Sequence, residues 1–324
     1  MFRFGVMGAG SIAGKFVDAV RRLPDCAVAA VASRDLARAA DFARQQGVPA
    51  FYQGYEDMLR SEPLDAVYIA ARTHAHAELT RLCIAHGVPV LCEKAMFTSA
   101  AEAREVLGLA REKGVFCMEA MWSRFLPAVV EMKRRLDSGE IGEPLYAELA
   151  IGWQAPSGPG NRFFDPAQGG GAAYDLTVYG YELADFFLGE PDADVSASVL
   201  WGDSGVDETE SVALRWTRRQ PACLATLSAS IVTNLEERAV IHGTKGVLRM
   251  PKPHMAEGFT VSRADGTQEE WQDRETVNGF VYEVAEVVRC VRAGLLESPV
   301  VPHDLTIRCA EMFDVINATW RAEE

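Results

Sequence analysis

The sequence predicts an α/β protein in two parts. The first is a doubly wound parallel sheet of Rossmann type. The second is an α+β part with a large, mostly antiparallel open sheet. Three observations predict it. Short apolar runs alternate with helical stretches as far as Trp122. A glycine-rich turn joins the first apolar run to the first helix. Beyond Trp122 the signals become those of strands and hairpins. A chain of 324 residues also has the length of about two domains. The expected domains are residues 1–122 and 123–324.

Arg3–Met7 reads as a first strand, because it is apolar without alternation, as strands covered on both faces are. A helix follows to about Leu23. Val28–Ala32 is a second strand, and an Ala- and Arg-rich helix covers Leu36–Gln46. Ala66–Ala70, Val88–Cys92 and Val115–Glu119 continue the series, with helices at Ala77–His86 and Ser99–Lys113 between them. This spacing gives parallel βαβ units. Past Trp122 a helix spans Pro127–Ser138. Tyr146–Trp153, Val195–Trp201, Glu210–Trp216 and Cys223–Ser230 read as strands, and Gly243–Gly246 as a hairpin turn. A helix over Asn278–Ala293 stops at Gly294, and Asp304 caps a last helix reaching Trp320.

Composition narrows the class. Hydrophobic residues make up 48% and charged residues 24%, enough for a core in each part. A net charge of −14 repels nucleic acid and anionic membranes, so neither is an expected partner. The seven cysteines include no C-x-x-C and read as reduced thiols, which points to the cytoplasm. No apolar run approaches the roughly 20 residues of a membrane span. The N-terminus does not read as a signal peptide.

Gly8-x-Gly10-x-x-Ala13 follows a strand and opens a helix, the context that makes it a dinucleotide fingerprint. Gly8 allows a tight turn, Gly10 a close approach of backbone to pyrophosphate, and Ala13 close packing of helix on strand. The helix start at Ser11 and Ile12 offers N–H groups and a positive dipole end to the phosphates. Cofactor identity is set after the second strand. An NAD enzyme usually presents Asp or Glu there. Here Ser33 and Arg34 come first, with Arg38 one turn on. A hydroxyl and guanidinium groups suit a 2′-phosphate, so NADP is expected rather than NAD. Asp35 is the residue for an NAD reading, unless it caps the next helix.

Lys94 ends the strand Val88–Cys92, at the sheet edge where ligands bind in open α/β folds. His74 and His76 make at most half of a zinc site, and no metal is expected. Gly8–Ala13, Cys92-Glu93-Lys94, Gly169-Gly170-Gly171-Ala172-Ala173-Tyr174-Asp175 and Tyr179 occur in order over nearly the whole chain. Together they resemble the Gfo/Idh/MocA oxidoreductase family. Glu119–Phe125, Gly205-Val206-Asp207 and Gly243–Gly246 resemble its branch of dimeric dihydrodiol dehydrogenases and NADP-dependent xylose dehydrogenases.

The resemblance implies hydride transfer between NADP and a CH–OH group of a sugar or cyclic trans-diol. It implies that Lys94 hydrogen-bonds the substrate oxygen. It implies that Tyr179, which stands where most of the family has histidine, is the general acid/base. A phenol needs cationic neighbours for that role near neutral pH. Asp175 would orient substrate or partner Lys94. Cofactor contacts are implied at Ala71, His76, Glu93, Trp122 and Arg124, and substrate walls at Trp122, Arg124 and Trp153. Two departures stand out: Ala95 replaces the family's proline, and Ala71-Arg72 replaces its Thr-Pro. The alternative within the fold is a non-catalytic NADP-binding sensor. The family's open sheet commonly buries against a partner, and Trp201, Trp216 and the Ala/Ser/Val-rich strands fit such a face. A homodimer is therefore expected.

Overall fold

The computed structural model describes residues 1–156 and 160–323, with side chains as far as Trp320. In chain order the strands and helices are β1 (Phe2–Met7), α1 (Ser11–Arg21), β2 (Cys26–Ser33), α2 (Leu36–Gln46), β3 (Ala50–Gln53), α3 (Tyr55–Ser61), β4 (Ala66–Ile69), α4 (His76–Ala85), β5 (Val90–Glu93), α5 (Ala100–Lys113) and β6 (Cys117–Ala120). Then come α6 (Pro127–Asp137), β7 (Pro144–Gly152), α7 (Val178–Leu188), β8 (Ser196–Trp201), β9 (Asp207–Trp216), β10 (Cys223–Ser230), β11 (Arg238–Gly243), β12 (Gly246–Pro251), β13 (Gly258–Arg263), β14 (Gln268–Gln272), α8 (Phe280–Arg292) and α9 (His303–Glu323). No helix among the described residues is long and apolar enough to cross a membrane.

Two compact units emerge. The first holds Met1–Trp122 and Asn278–Ala310, the second Ser123–Val277 and Glu311–Glu324. The sequence assigns everything after Trp122 to the second part. Segment Asn278–Ala310 joins the first instead, because α8 packs on α1. Asn278 donates to the Lys15 carbonyl at 2.9 Å and to Asp18 at 2.8 Å, and its own side chain accepts from Phe280 N at 3.0 Å. The last helix begins at His303, so Asp304 lies inside its first turn rather than capping it; Asp304 pairs with Arg111 at 2.9 Å.

The first unit is a six-stranded parallel sheet in the order β3-β2-β1-β4-β5-β6. Strands β4, β5 and β6 are buried along their whole length, as their apolar sequences require. The order reverses between β1 and β4, and that reversal opens a crevice at the carboxyl ends of the two strands. The sheet also contains β3, which has no apolar run to announce it.

The second unit is an eight-stranded sheet in the order β14-β13-β12-β11-β7-β10-β9-β8. It is antiparallel except for the β7–β10 pair. One face is covered, with Leu149, Ile151, Leu214 and Leu227 buried there. Trp216 shares that buried parity and donates from its indole to the Gly189 carbonyl at 2.9 Å. Trp201 packs on Trp320, with ring centroids 5.1 Å apart, and donates to Thr319. Neither tryptophan therefore belongs to the open face, contrary to expectation. That face carries Tyr146, Ser211, Ala213, Leu224, Thr226 and Ser228, which the register aligns across the three strands β7, β10 and β9.

Arg124 fixes α7 within this unit. It is buried, donates to the Glu182 carbonyl at 3.1 Å and to Asp185 at 2.7 Å, and stacks over Phe186. Removing one member of a buried charge network leaves the others desolvated, a loss of about 3–5 kcal/mol. Arg124→Met should lower the unfolding free energy by about that amount in urea titration. A loss below about 1 kcal/mol, the range of an exposed pair, would contradict this anchoring.

Candidate functional site

The phosphate loop is built as its glycines require. Gly8 has φ +110°, and a Cβ there would lie 2.7 Å from the Ala70 carbonyl oxygen. Glycine is thus demanded both by backbone conformation and by the chain leaving β4. Gly10 is different: a Cβ there would meet no protein atom within 4 Å. Its small size serves no internal packing, so its use lies in what approaches from outside. Ala13 is fully buried beneath the helix start.

The helix starts divide into two kinds. Asp35 caps α2, accepting from Ala37 N and Arg38 N at 2.8 and 3.2 Å. Ser99 caps α5. No side chain caps α1, whose first residues, Ser11 and Ile12, are exposed and half-buried. A capped start satisfies its own orphan N–H groups, whereas an uncapped one suits an anion. A dinucleotide pyrophosphate fits this loop: room at Gly10, N–H donors at α1 and a positive dipole end.

Beyond β2, Ser33 is buried and Arg34 and Arg38 are exposed. Neither guanidinium has an ion pair among the described residues. Both lie close enough to Tyr55 to act on its phenol, although burial dominates there and pushes that group up. Asp35 is committed to the α2 cap.

The turn carrying Lys94 is held on both flanks. Before it, Glu93 is buried and accepts from the Tyr68 hydroxyl, whose ring stacks on Phe16 at 3.9 Å. After it, the Ala95 carbonyl meets His76 Nδ1 at 2.8 Å, and Met96 N donates to Glu119 at 2.8 Å. Glu119 in turn accepts from Thr306 at 2.8 Å. The Lys94–Ala95 peptide is cis. Lys94 itself is half-buried.

His76 was expected as a cofactor contact. Its other ring nitrogen lies 3.1 Å from the Ala71 carbonyl, so the imidazole bridges the loops after β4 and β5. Burial holds its pKa below the usual value. A neutral ring has one N–H for two carbonyls, so one contact is a donated hydrogen bond and the other is not. Behind Glu93, the fully buried Glu283 of α8 has no hydrogen-bond partner at either oxygen among the described residues. Burial, with Glu93 nearby, pushes its carboxyl well up. Trp122 is half-buried and packs on Phe280, centroids 5.1 Å apart.

In the second unit, Gly169–Tyr179 forms one continuous device. Gly169 is left-handed at φ +74°, and a Cβ on Gly170 would strike the Arg162 and Phe163 carbonyls at 2.7 Å. Ala173–Thr177 is a π-helical turn that runs into α7. Such turns recur at functional sites. It carries Asp175, half-buried and 3.6 Å from Arg162. Arg162 stacks on Phe163, 3.9 Å from its ring, and Phe163 meets Trp153 edge-on at 4.9 Å. Trp153 and Asp175 are therefore joined through two residues, Arg162 and Phe163, that have no sequence motif to mark them. Tyr179 is buried in α7 with its ring against His254 at 5.4 Å. Arg124, expected at the cofactor and the substrate wall, is spent on α7.

Comparison with known proteins agrees with this architecture. The model of the Gfo/Idh/MocA oxidoreductase family, NAD-binding Rossmann fold, matches residues 2–121, and that of the family's C-terminal domain matches 129–249. The trans-1,2-dihydrobenzene-1,2-diol dehydrogenase of Mus musculus is 36% identical over 311 residues, covering 93% of this chain and 91% of its own. A 3-ketoreductase from Actinomadura kijaniata, solved with NADP and TDP-benzene, superposes with a TM-score of 0.85 at 26% identity, covering 97% of this chain and 96% of its own. An aldose-aldose oxidoreductase from Caulobacter crescentus shares the fold, with a TM-score of 0.88 at 18% identity, over 100% of this chain and 98% of its own. With its uncapped phosphate loop at one end of the chain and its open mixed sheet at the other, the protein belongs to the Gfo/Idh/MocA family of NAD-binding oxidoreductases.

Proposed function

We propose that this oxidoreductase is an NADP-dependent dehydrogenase or reductase of the CH–OH group of a sugar or cyclic trans-diol. The observation that carries the cofactor choice is the end of β2. Asp35, the acid that could hold a ribose 2′-OH, is used as a helix cap, while two exposed arginines face solvent nearby. Guanidinium groups make charge-assisted bonds to phosphate. The substrate class is supported by the names of the diol dehydrogenase and ketoreductase relatives. That ketoreductase has also been solved with one tyrosine and with one lysine substituted.

When bound, the nicotinamide supplies the hydride chemistry. Lys94 hydrogen-bonds the substrate oxygen. Tyr179 takes the hydroxyl proton in oxidation and returns it in reduction, acting as general base and then general acid. Asp175 orients substrate beside the Trp153–Phe163 wall. Aromatic faces suit the C–H faces of a sugar or the ring of a diol. Mixing the protein with NADP⁺ and a panel of sugars, inositols and cyclic trans-diols tests the reading through absorbance of the reduced nicotinamide. Tight NADP⁺ binding with silence across the panel would favour the non-catalytic sensor instead.

The partner is a second copy, bound through the open sheet face with its exposed Leu200 and Leu224. Light scattering at micromolar protein should give a dimer; a monomer alone contradicts it. Arg34→Ala should weaken NADP⁺ binding by about 1.5–3 kcal/mol and spare NAD⁺. Equal losses for both cofactors would overturn the assignment. Tyr179→Phe should lower turnover by about 10²-fold or more and leave cofactor affinity unchanged. An unchanged rate would remove Tyr179 from the chemistry.

A further inference from the structure

The run Gly169-Gly170-Gly171 and the Gly205-Val206-Asp207 motif meet in the second unit. Gly171 has φ +113°, and a Cβ there would lie 2.0 Å from Asp207 Oδ1. No side chain could stand at position 171 with Asp207 where it is. The glycine admits the carboxylate to the start of the π-helical turn.

At that start there is no local cap, since Ala172 has no polar side chain. Asp207 does the capping from another element. Its Oδ2 accepts from Ala173 N at 2.5 Å, and Ala172 N acts on the same carboxylate. A carboxylate there also faces the positive end of the helical run Ala173–Leu188. One turn on, the Thr177 hydroxyl donates to Glu210 of β9.

Asp207 and Glu210 are three apart on one strand, so simple alternation would send them to opposite faces. The β8–β9 register supplies the reason they do not. Leu200 pairs with Thr209 but Trp201 pairs with Asp207, leaving Glu208 as the extra residue of a bulge. A bulge resets the alternation and re-aims a side chain. Both acids are buried, Asp207 to 2% and Glu210 to 3% exposure. Burial pushes the Asp207 carboxyl up to about 7 and the Glu210 carboxyl well above its usual range. Two desolvated acids beside each other are costly to a fold, and departures of this kind are expected at functional or strained sites.

We propose that Asp207 and Glu210 are positioning residues for the reaction, clamping the π-helical turn at Ala173 and Thr177 so that Asp175 and Tyr179 are held in register. The role rests on the functions given above to Asp175 and Tyr179. It touches neither substrate nor cofactor, so its signature is a loss of turnover without loss of cofactor affinity.

The cleanest probe is Thr177→Val in the full-length protein, because valine keeps the volume and removes only the hydroxyl. Misplacement of the acid/base by about 1 Å lowers kcat by about 10- to 100-fold. The expected result is a loss in that range, unchanged NADP⁺ affinity, recovery in Thr177→Ser, and faster amide exchange confined to residues 172–179. Asp207→Asn, which keeps an acceptor for Ala173 N, should lose less turnover than Asp207→Ala. If Asp207→Ala fails to fold, the Thr177 pair still decides. Turnover within a factor of about two of the parent in Thr177→Val, whatever the exchange, overturns the proposal. So does an equal loss in Thr177→Ser, which retains the hydroxyl. Should the parent itself turn over no alcohol, the proposed function fails; exchange at 172–179 then still reads the clamp, and equal exchange in Thr177→Val and parent overturns it.

Discussion

Helix α1 starts at Ser11 without a side-chain cap, directly after a glycine whose missing Cβ faces open space. An isolated helix start of this kind is a deficit, because its first N–H groups have no local partner. It becomes useful when an anion supplies the missing acceptors. The crevice between β1 and β4 puts that start at the carboxyl edge of the sheet, and Gly8 lets the chain turn there against Ala70. The same edge carries the Ser33–Arg38 segment and the Lys94 turn. What sets the α1 start apart is its place, beside Gly10 at the carboxyl edge of the sheet.

In the first unit the turn that presents Lys94 is held on both flanks. Glu93, Ala95 and Met96 are each tied to a different part of the fold, through Tyr68, His76 and Glu119. The Ala95 carbonyl lies 2.8 Å from His76 Nδ1. In the second unit the corresponding device is a π-helical turn fixed from behind by two buried acids. Both arrangements spend buried polar groups to fix a side chain that must remain usable.

Much of this was legible in the sequence because it is local. Continuous apolar runs gave β1, β2, β4 and β5 at nearly their observed limits. Gly8 and Ala13 fall where their steric reasons put them. What escaped was either weakly patterned or long-range. Strand β3 is four residues at a sheet edge, half exposed, and β14 reads Gln-Glu-Glu-Trp-Gln; neither is apolar enough to stand out. Trp201 and Trp216 looked like interface residues, yet strand parity buries Trp216 and Trp201 packs on Trp320. Arg124 looked like a wall residue, because its partners Glu182 and Asp185 lie some 60 residues away in sequence. The bulge at Glu208 leaves no mark that a single sequence displays, so the pairing of Asp207 with Gly171 emerges only in the fold. Arg162 and Phe163 escaped for the same reason.

Hydride transfer from a substrate carbon is the central claim, and isotope tracing reads it directly. The protein is incubated with NADP⁺ and an alcohol from a responding class deuterated at the carbinol carbon, and the reduced cofactor is analysed by mass spectrometry. One deuterium per reduced nicotinamide, absent in Lys94→Ala, is the predicted result. Reduced cofactor without deuterium, or a Lys94→Ala protein that transfers it as fast as the parent, would contradict the account.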